Sequence, residues 1–305
     1  MIALPWILWA IVRLAALDLG HPLVELMALT PYAAATAPLP VAFALLVRRW
    51  LVATMAAIAA IALAAVVLPR AIPDGGLGRA RGPALIVMTI NLYEGQADPR
   101  AVLALARDHG VDVLSLQELT PEALARLNSA GARELLPAHV VSPRPGAIGS
   151  GLMAGRRLSL AEKVAVRGTA EPEASLAVPG TMPVRVKAVH PPAPLSSHAA
   201  WVWARALRRL PDPGGAHLLR VLAGDFNGTL DNREIRALLH RGYVDAADAA
   251  GAGLRPTWPT IGIAPPVAID HVLVPRSVHV RSVTIHAVTG SDHRAVIAEL
   301  VLPAK

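Results

Sequence analysis

Two runs near the N-terminus, residues 26–47 and 51–69, carry no charged side chain over 22 and 19 residues. A helix that crosses the hydrocarbon core of a bilayer needs about 20 such residues. The run at 51–69 is the better candidate. The run at 26–47 holds Pro31, Pro38 and Pro40 and would have to kink. A third run, 4–17, is interrupted by Arg13, whose long stem can carry its charge to an interface. The expectation is a membrane region over residues 1–70 with two to three transmembrane helices. A cleaved signal peptide fits less well, because apolar character returns twice after the first run. A transporter fits less well too, since few polar groups lie within the runs. Arg48 and Arg49 separate the two uncharged runs, which places that loop in the cytoplasm and residues 72 onward outside. Arg70, Arg79 and Arg81 count in the opposite direction. The resulting expectation is a multi-pass protein of the cell membrane, with the lipid bilayer as a partner and the remaining domain extracytoplasmic.

Residues 71–83 are mostly small, proline or charged and read as a linker. Residues 84–305 then form a second domain. The chain has no cysteine, which excludes a disulfide framework and a thiolate metal site. Residues 72–305 hold 25 Lys+Arg against 20 Asp+Glu, a net +5. Such a surface can attract phosphate groups or anionic lipid, although an arginine- and alanine-rich composition produces the same excess. No basic run interleaved with aromatics marks a nucleic-acid groove.

Apolar runs at 84–90 and 111–116 read as strands, each followed by a helix. Asp98 before Pro99 and Thr120 before Pro121 are N-caps, and Gly110 supplies a left-handed helix end. Strands follow at 184–189 and 218–223, and helices at 199–210 and 233–239. Strands at 268–274, 280–288 and 295–301 close the chain, and 155–183 reads as loop and edge strand. Strand-helix-strand order favours parallel pairing. Asn91, Glu118, His190 and Asp225 each stand just past a strand. If those strands share a direction, the four side chains arrive at one edge of the sheet layer, where α/β folds collect their chemistry.

Carboxylates, an acid beside an amide and histidines suit an oxygen-loving cation and a phosphate ester. No HExxH, GxSxG or P-loop motif is present. Taken singly, the same residues have bland readings: Asn91 as a turn or cap, Glu118 as a solvated strand end, Asp225 to Gly228 as a turn, His190 as a packed loop residue.

Asn91, Gln117-Glu118, Gly224-Asp225-Phe226-Asn227, Asp270-His271 and Ser291-Asp292-His293 occur in this order. Together they resemble the endonuclease/exonuclease/phosphatase family over residues 84–303. The resemblance implies an α/β (α+β) four-layer sandwich, with two mixed β-sheets face to face and helices outside. It also implies a hydrolase in which water attacks a phosphoester with help from Mg²⁺, or Mn²⁺ in its place. By the same resemblance Glu118 would ligate the metal with Asn91 beside it, and Asp292 would sit near it. Asp225 would orient or deprotonate the attacking water, and Asn227 would hold a phosphate oxygen. His293 would contact the phosphate, steadied by Asp270, and His190 would meet the phosphate or the leaving group.

Many nucleases of the family carry an acid two positions after the asparagine, where this chain has Tyr93. The inserts that grip duplex DNA are not evident. Nucleic acid and phospholipid or inositol-phosphate groups therefore both stay open as substrates, and no protein partner is expected. Trp201, Trp203 and Trp258 suit either a cleft or a core. His139, His198, His217, His240, His279 and His286 belong to no motif and read as structural or exposed. The competing function, a catalytically silent binding module on the same anchor, is disfavoured because the full set of acids and the last histidine is kept.

Overall fold

The computed structural model describes residues 2–74, 81–155, 159–164, 171–215 and 217–305. Two mixed sheets pack face to face. In spatial order one runs His279–Ala287, Arg294–Val301, Ala84–Asn91, Val113–Gln117, Ser150–Ala154, Ala138–Ser142. The other runs Tyr243–Asp245, Asp270–Pro275, Leu218–Asp225, Val184–Val189, Glu173–Ala177, Ser159–Val164. Ala84–Asn91 pairs parallel with Val113–Gln117, and Val184–Val189 pairs parallel with Leu218–Asp225. These pairs are the centres of the two sheets, so both sheets point their C-terminal strand ends to the same rim.

Strand alternation explains the layers. Leu85 and Val87 face inward and join Val184, Val186, Leu219, Val221 and Ala223 in the core between the sheets. Met88 and Ile90 face outward and lie under the helices Pro99–Asp108 and Pro121–Ser129. On the far side, Val189, Leu222 and Leu273 pack against Trp203 and Leu207 of helix Ser197–Arg208 and Ile235 and Leu238 of helix Arg233–His240. The four-layer sandwich expected from the resemblance is thus present. Asp98 accepts from Arg100 N at 2.9 Å and Thr120 from Ala123 N at 3.1 Å, so both predicted caps operate. Gly110 has the positive φ of 61° that ends the first helix.

The segment 155–183, read as loop and edge strand, contributes Glu173–Ala177 and the edge strand Ser159–Val164, with 156–158 and 165–170 outside the described residues. Ala138–Ser142 and Ser150–Ala154 are strands that the sequence pattern did not announce. Glycines and serines dilute their apolar alternation.

Of the three N-terminal apolar runs, one forms a helix long and apolar enough to cross a membrane, Trp50–Ala71. The first run yields the 11-residue helix Leu4–Leu14, which rises only about 16 Å at 1.5 Å per residue. The second yields Leu23–Met27, Thr30–Thr36 and Pro38–Leu46. The expected two to three crossing helices and multi-pass chain are therefore not supported. The reason is tertiary: Arg13 ends its helix on Asp231, and Val24, Glu25, Ala28 and Leu29 line a cavity against the two-sheet region instead of continuing a span. Val24 is buried with Trp203 and Phe226. Along Trp50–Val67, Ala53, Ala56, Ala59 and Leu63 form a buried stripe, and Ala59 and Leu63 meet Ala10 and Ala37. Small residues at that spacing let helices approach closely. Leu51, Ile58 and Ile61 on the other faces are exposed.

In the expected linker, Asp74 N donates to Ala249 O at 3.0 Å, and residues 75–80 lie outside the described residues.

Candidate active site

The alternation that buries Leu85 and Val87 carries Asn91 inward at the end of its strand. It does the same for Asp225 after Val221 and Ala223, for His190 after Val186 and Ala188, and for Asp270 before Val272 and Val274. Residues from opposite sheets therefore meet at one rim. The amide of Asn91 bridges the two sheets: its Nδ2 donates to Glu118 Oε1 and to Asp225 Oδ2, both at 3.0 Å. His190 Nε2 lies 3.8 Å from Glu118 Oε1 and 3.7 Å from Asp225 Oδ2. Beneath this point Thr89, Gln117 and Ser115 are linked by hydrogen bonds of 3.0 and 2.9 Å, and Ser115 reaches across to Ala223 O at 2.8 Å. Buried polar groups joined in this way fix the register of one sheet on the other.

Backbone strain gathers here. Tyr93, Glu94, Glu118 and Asn227 all have left-handed φ angles of 48–55°, and all four line one cavity of about 430 Å³. Non-glycine residues enter that region at a cost of about 1–3 kcal/mol each, and such residues cluster at functional sites. Local hydrogen bonds hold them: Glu94 N donates to Glu118 Oε2 at 2.6 Å and Asn227 N to Asp225 Oδ1 at 2.8 Å. Gly224 is required on packing grounds, since a Cβ there would stand 1.9 Å from Val189 O on the neighbouring strand.

His293 closes the rim. Its Nδ1 lies 2.9 Å from Asp270 Oδ2, while Nε2 lies 3.7 Å from Asp225 Oδ2 and 3.9 Å from Asp292 Oδ1. Burial alone pushes the ring pKa down. The carboxylates of Asp270, Asp225 and Asp292 overcome that and raise it to about 10. The ring is thus an imidazolium at neutral pH, able to donate from both nitrogens.

Asp225, Asp270 and His293 offer ligand atoms within 4.8 Å of one another. Asp270 Oδ2 is committed to His293 Nδ1, while its Oδ1 is buried with no hydrogen-bond partner, so the trio can hold a cation or, with His293 protonated, face a phosphate oxygen. Glu118, on the cavity wall, keeps a second lone pair on each oxygen. Asp292 Oδ2 accepts from Trp258 Nε1 at 2.9 Å, but its Oδ1 is buried with no hydrogen-bond partner. A buried carboxylate oxygen left without a partner is costly unless a cation meets it. The donor set fits a hard divalent cation with oxygen ligands.

The structure therefore brings together Asn91, Glu118, His190, Asp225, Asp270, Asp292 and His293. Asn227 lines the cavity, although its Nδ2 donates to Pro191 O at 3.0 Å. His271, the other half of the Asp270-His271 motif, turns to the opposite face of its strand. It lies 2.8 Å from Asp245 Oδ2 and 2.9 Å from Gly228 O, and so braces the fold. Trp258 is a cleft residue, Trp203 is fully buried with its Nε1 donating to Phe226 O at 2.8 Å, and Trp201 is exposed beneath Arg205. Sequence reasoning missed Glu94, which holds Glu118, and the role of Trp258. It also missed Val24, Glu25, Ala28 and Leu29, which form one wall of the cavity. The positive φ at Glu94 has no local signal, since neither Tyr93 nor Glu94 is a turn former.

No curated protein matches the chain by sequence. Among solved structures, D. rerio TDP2 complexed with single strand DNA product is 16% identical with a TM-score of 0.56, covering 71% of this chain and 98% of that one. An endonuclease/exonuclease/phosphatase from Beutenbergia cavernae is 20% identical with a TM-score of 0.56, covering 72% of each chain. A family protein from Bacteroides thetaiotaomicron is 17% identical with a TM-score of 0.52, covering 73% of this chain and 99% of that one. These likenesses establish the shared fold. The family model for the Endonuclease/Exonuclease/phosphatase family matches residues 88–293, a span that contains every residue placed at the rim above. The chain belongs to the endonuclease/exonuclease/phosphatase family and, with it, to the metal-dependent hydrolases of phosphoester bonds.

Proposed function

We propose that this chain is a membrane-anchored, Mg²⁺-dependent phosphoester hydrolase whose catalytic region lies outside the cytoplasm. The observation that carries the reading is the Asn91 bridge, which holds Glu118 and Asp225 side by side within reach of His190 and His293. Glu118, with Asn91 beside it and Asp292 near it, would hold Mg²⁺, or Mn²⁺ in its place. When bound, the cation supplies Lewis-acid polarisation and charge neutralisation at the phosphoryl group.

The remaining work falls to the chain's own groups. Asp225 orients the attacking water and takes its proton, its Oδ1 and Oδ2 fixed by Asn227 N and Asn91 Nδ2. His293 donates from Nε2 to a phosphate oxygen, and Asp270 keeps that ring oriented and charged. Asn227 and His190 complete the contacts, with His190 meeting the phosphate or the leaving group. Candidate substrates are a nucleic-acid end, the class suggested by the TDP2 complex with DNA product, and a phospholipid or inositol-phosphate group.

Support for the anchor comes from helix Trp50–Ala71, which begins after Arg48-Arg49 and ends with Arg70 on the catalytic layer. A C-terminal alkaline phosphatase fusion is expected to be active, and an inactive fusion would reverse the topology. For the chemistry, the full chain in detergent should hydrolyse bis-p-nitrophenyl phosphate with Mg²⁺ and stop with EDTA. Folded protein without metal-dependent turnover on any phosphoester would defeat the reading.

A further inference from the structure

We propose that the substrate is a phosphoester bearing an alkyl or acyl chain, and that the mouth of the cavity meets a lipid surface. This rests on the hydrolase reading above and names its substrate class. The catalytic groups occupy one side of the cavity. The facing walls are apolar: Val24, Ala28 and Leu29 come from the N-terminal region, and Leu195, Pro265 and Val267 from the catalytic layer. Glu25 is the polar member of the N-terminal wall, and it is paired with His21. No lysine or arginine is among the described residues that line the cavity. A nucleic-acid strand draws its affinity from a row of cations along its successive phosphates, and this cavity offers it no lysine or arginine beyond the single phosphate site. An apolar wall beside a phosphate site instead matches a molecule with an apolar tail on its phosphoester.

The wall is built into the enzyme. Asn232 Nδ2 donates to Val24 O at 2.8 Å, and Tyr32 Oη donates to Pro266 O at 2.8 Å, one on each side of the segment that lines the cavity. The outer surface continues the pattern. Beyond the N-terminal helices, the exposed large apolar side chains among the described residues are Ile72, Tyr93, Ile148, Leu195, Trp201, Ile261 and Ile263. Tyr93 and Leu195 line the cavity, while Ile148 and Ile263 directly adjoin Ala147 and Ala264, which also line it. Leu195 is 75% exposed and Ile263 fully so. Exposed apolar side chains gathered at one opening mark a contact surface. Val24, Ala28 and Leu29 tie this opening to the N-terminal region that bears the apolar helix Trp50–Ala71, and that argues for lipid as the occupant.

The test uses the full chain in amphipol with Mg²⁺ and a series of alkyl p-nitrophenyl phosphates, from methyl to hexyl, in which only chain length varies. Each methylene that leaves water contributes up to about fourfold, so kcat/KM should rise at least tenfold across the series. Leu29→Ser should cut the hexyl-to-methyl ratio at least fivefold, and Leu195→Ser, at an exposed position that cannot threaten folding, should cut it in the same direction. A flat series with every member hydrolysed would overturn the chain-binding proposal and leave the hydrolase reading standing. Preference for a DNA oligonucleotide over the hexyl ester would also overturn it. Absence of Mg²⁺-dependent turnover on every member, on the DNA oligonucleotide and on bis-p-nitrophenyl phosphate, with folded protein, would remove the hydrolase reading, and this proposal with it; absence on the alkyl series alone would overturn this proposal.

Discussion

Arg70 forks the carboxylate of Asp231 through Nη1 and Nη2 at 2.8 and 2.7 Å, across 161 residues of sequence. Arg13 Nε adds a third bond at 2.6 Å to the same carboxylate, which is completely buried. Two helices of the N-terminal region are thereby fastened to the catalytic layer at one point. Removing the acid would strand two arginines away from water, at a cost of about 3–5 kcal/mol. Asp231→Asn should therefore lower the unfolding midpoint sharply in a detergent-solubilised thermal melt. Asp212→Asn is the control: Asp212 pairs with Arg241 at 2.7 Å but is 74% exposed, and its loss should cost less than about 1 kcal/mol.

His293 should remain protonated well above the usual histidine range in metal-free protein. Its folded pKa of about 10 exceeds the unfolded value of 6.5. The associated stability is thus complete below pH 6.5 and is lost as pH rises through about 10. Asp270→Asn removes the partner at 2.9 Å and should move the ring titration to lower pH, as followed by the ring proton resonance in EDTA. His293→Ala should lower kcat by about 10²–10³-fold and, by leaving the buried Asp270 without its partner, should also lower the unfolding midpoint.

Glu118→Gln keeps the side-chain shape and weakens the cation site. Mg²⁺ binding by calorimetry should weaken, and turnover should fall by about 10²-fold or more. EDTA should abolish wild-type turnover, and Mg²⁺ or Mn²⁺ should restore it. An unchanged Mg²⁺ isotherm in the variant would move the cation to other ligands.

Asp248 offers a pH test away from the cavity. Burial raises its pKa to about 6, and the charges of Asp245 and Asp74 add to this against the pull of Arg70. The native state holds this proton more tightly than the unfolded chain, so the group costs stability as pH rises from about 4 to about 6. Asp248→Asn should flatten that dependence and stabilise the protein at pH 7 by about 1–2 kcal/mol, discounted for partial exposure. Melts at pH 5 and pH 7 would show it.

Much of the rim was legible because alternation is a local property. An inward residue at position 85 makes position 91 inward, and the same step of two carries Asp225, His190 and Asp270 to the space between the sheets. Polar residues at the ends of apolar strands therefore announced the site before any pairing was known. The Asp270-His271 motif shows the limit: adjacent strand residues face opposite ways, so Asp270 joined the site while His271 left it for Asp245.

The strands 138–142 and 150–154 escaped notice because partners across the sheet stabilise them, and their own propensities are weak. For the tryptophans, composition offers a cleft or a core, and only packing against Phe226 or Asp292 decides between them.

By itself the sequence determined the strands that carry the rim, the helix caps, the apolar N-terminal runs and the identity of the acids and histidines at the rim, since periodicity and capping act within a few residues. The tertiary structure alone decided that the start of the second apolar run breaks to place Ala28 and Leu29, with Val24 before them, on the cavity, and that Arg13 and Arg70 converge on Asp231. Those contacts join segments 160 to 220 positions apart. Their energy comes from burial and charge pairing between surfaces that meet only once the sheets have closed, so no local pattern encodes them.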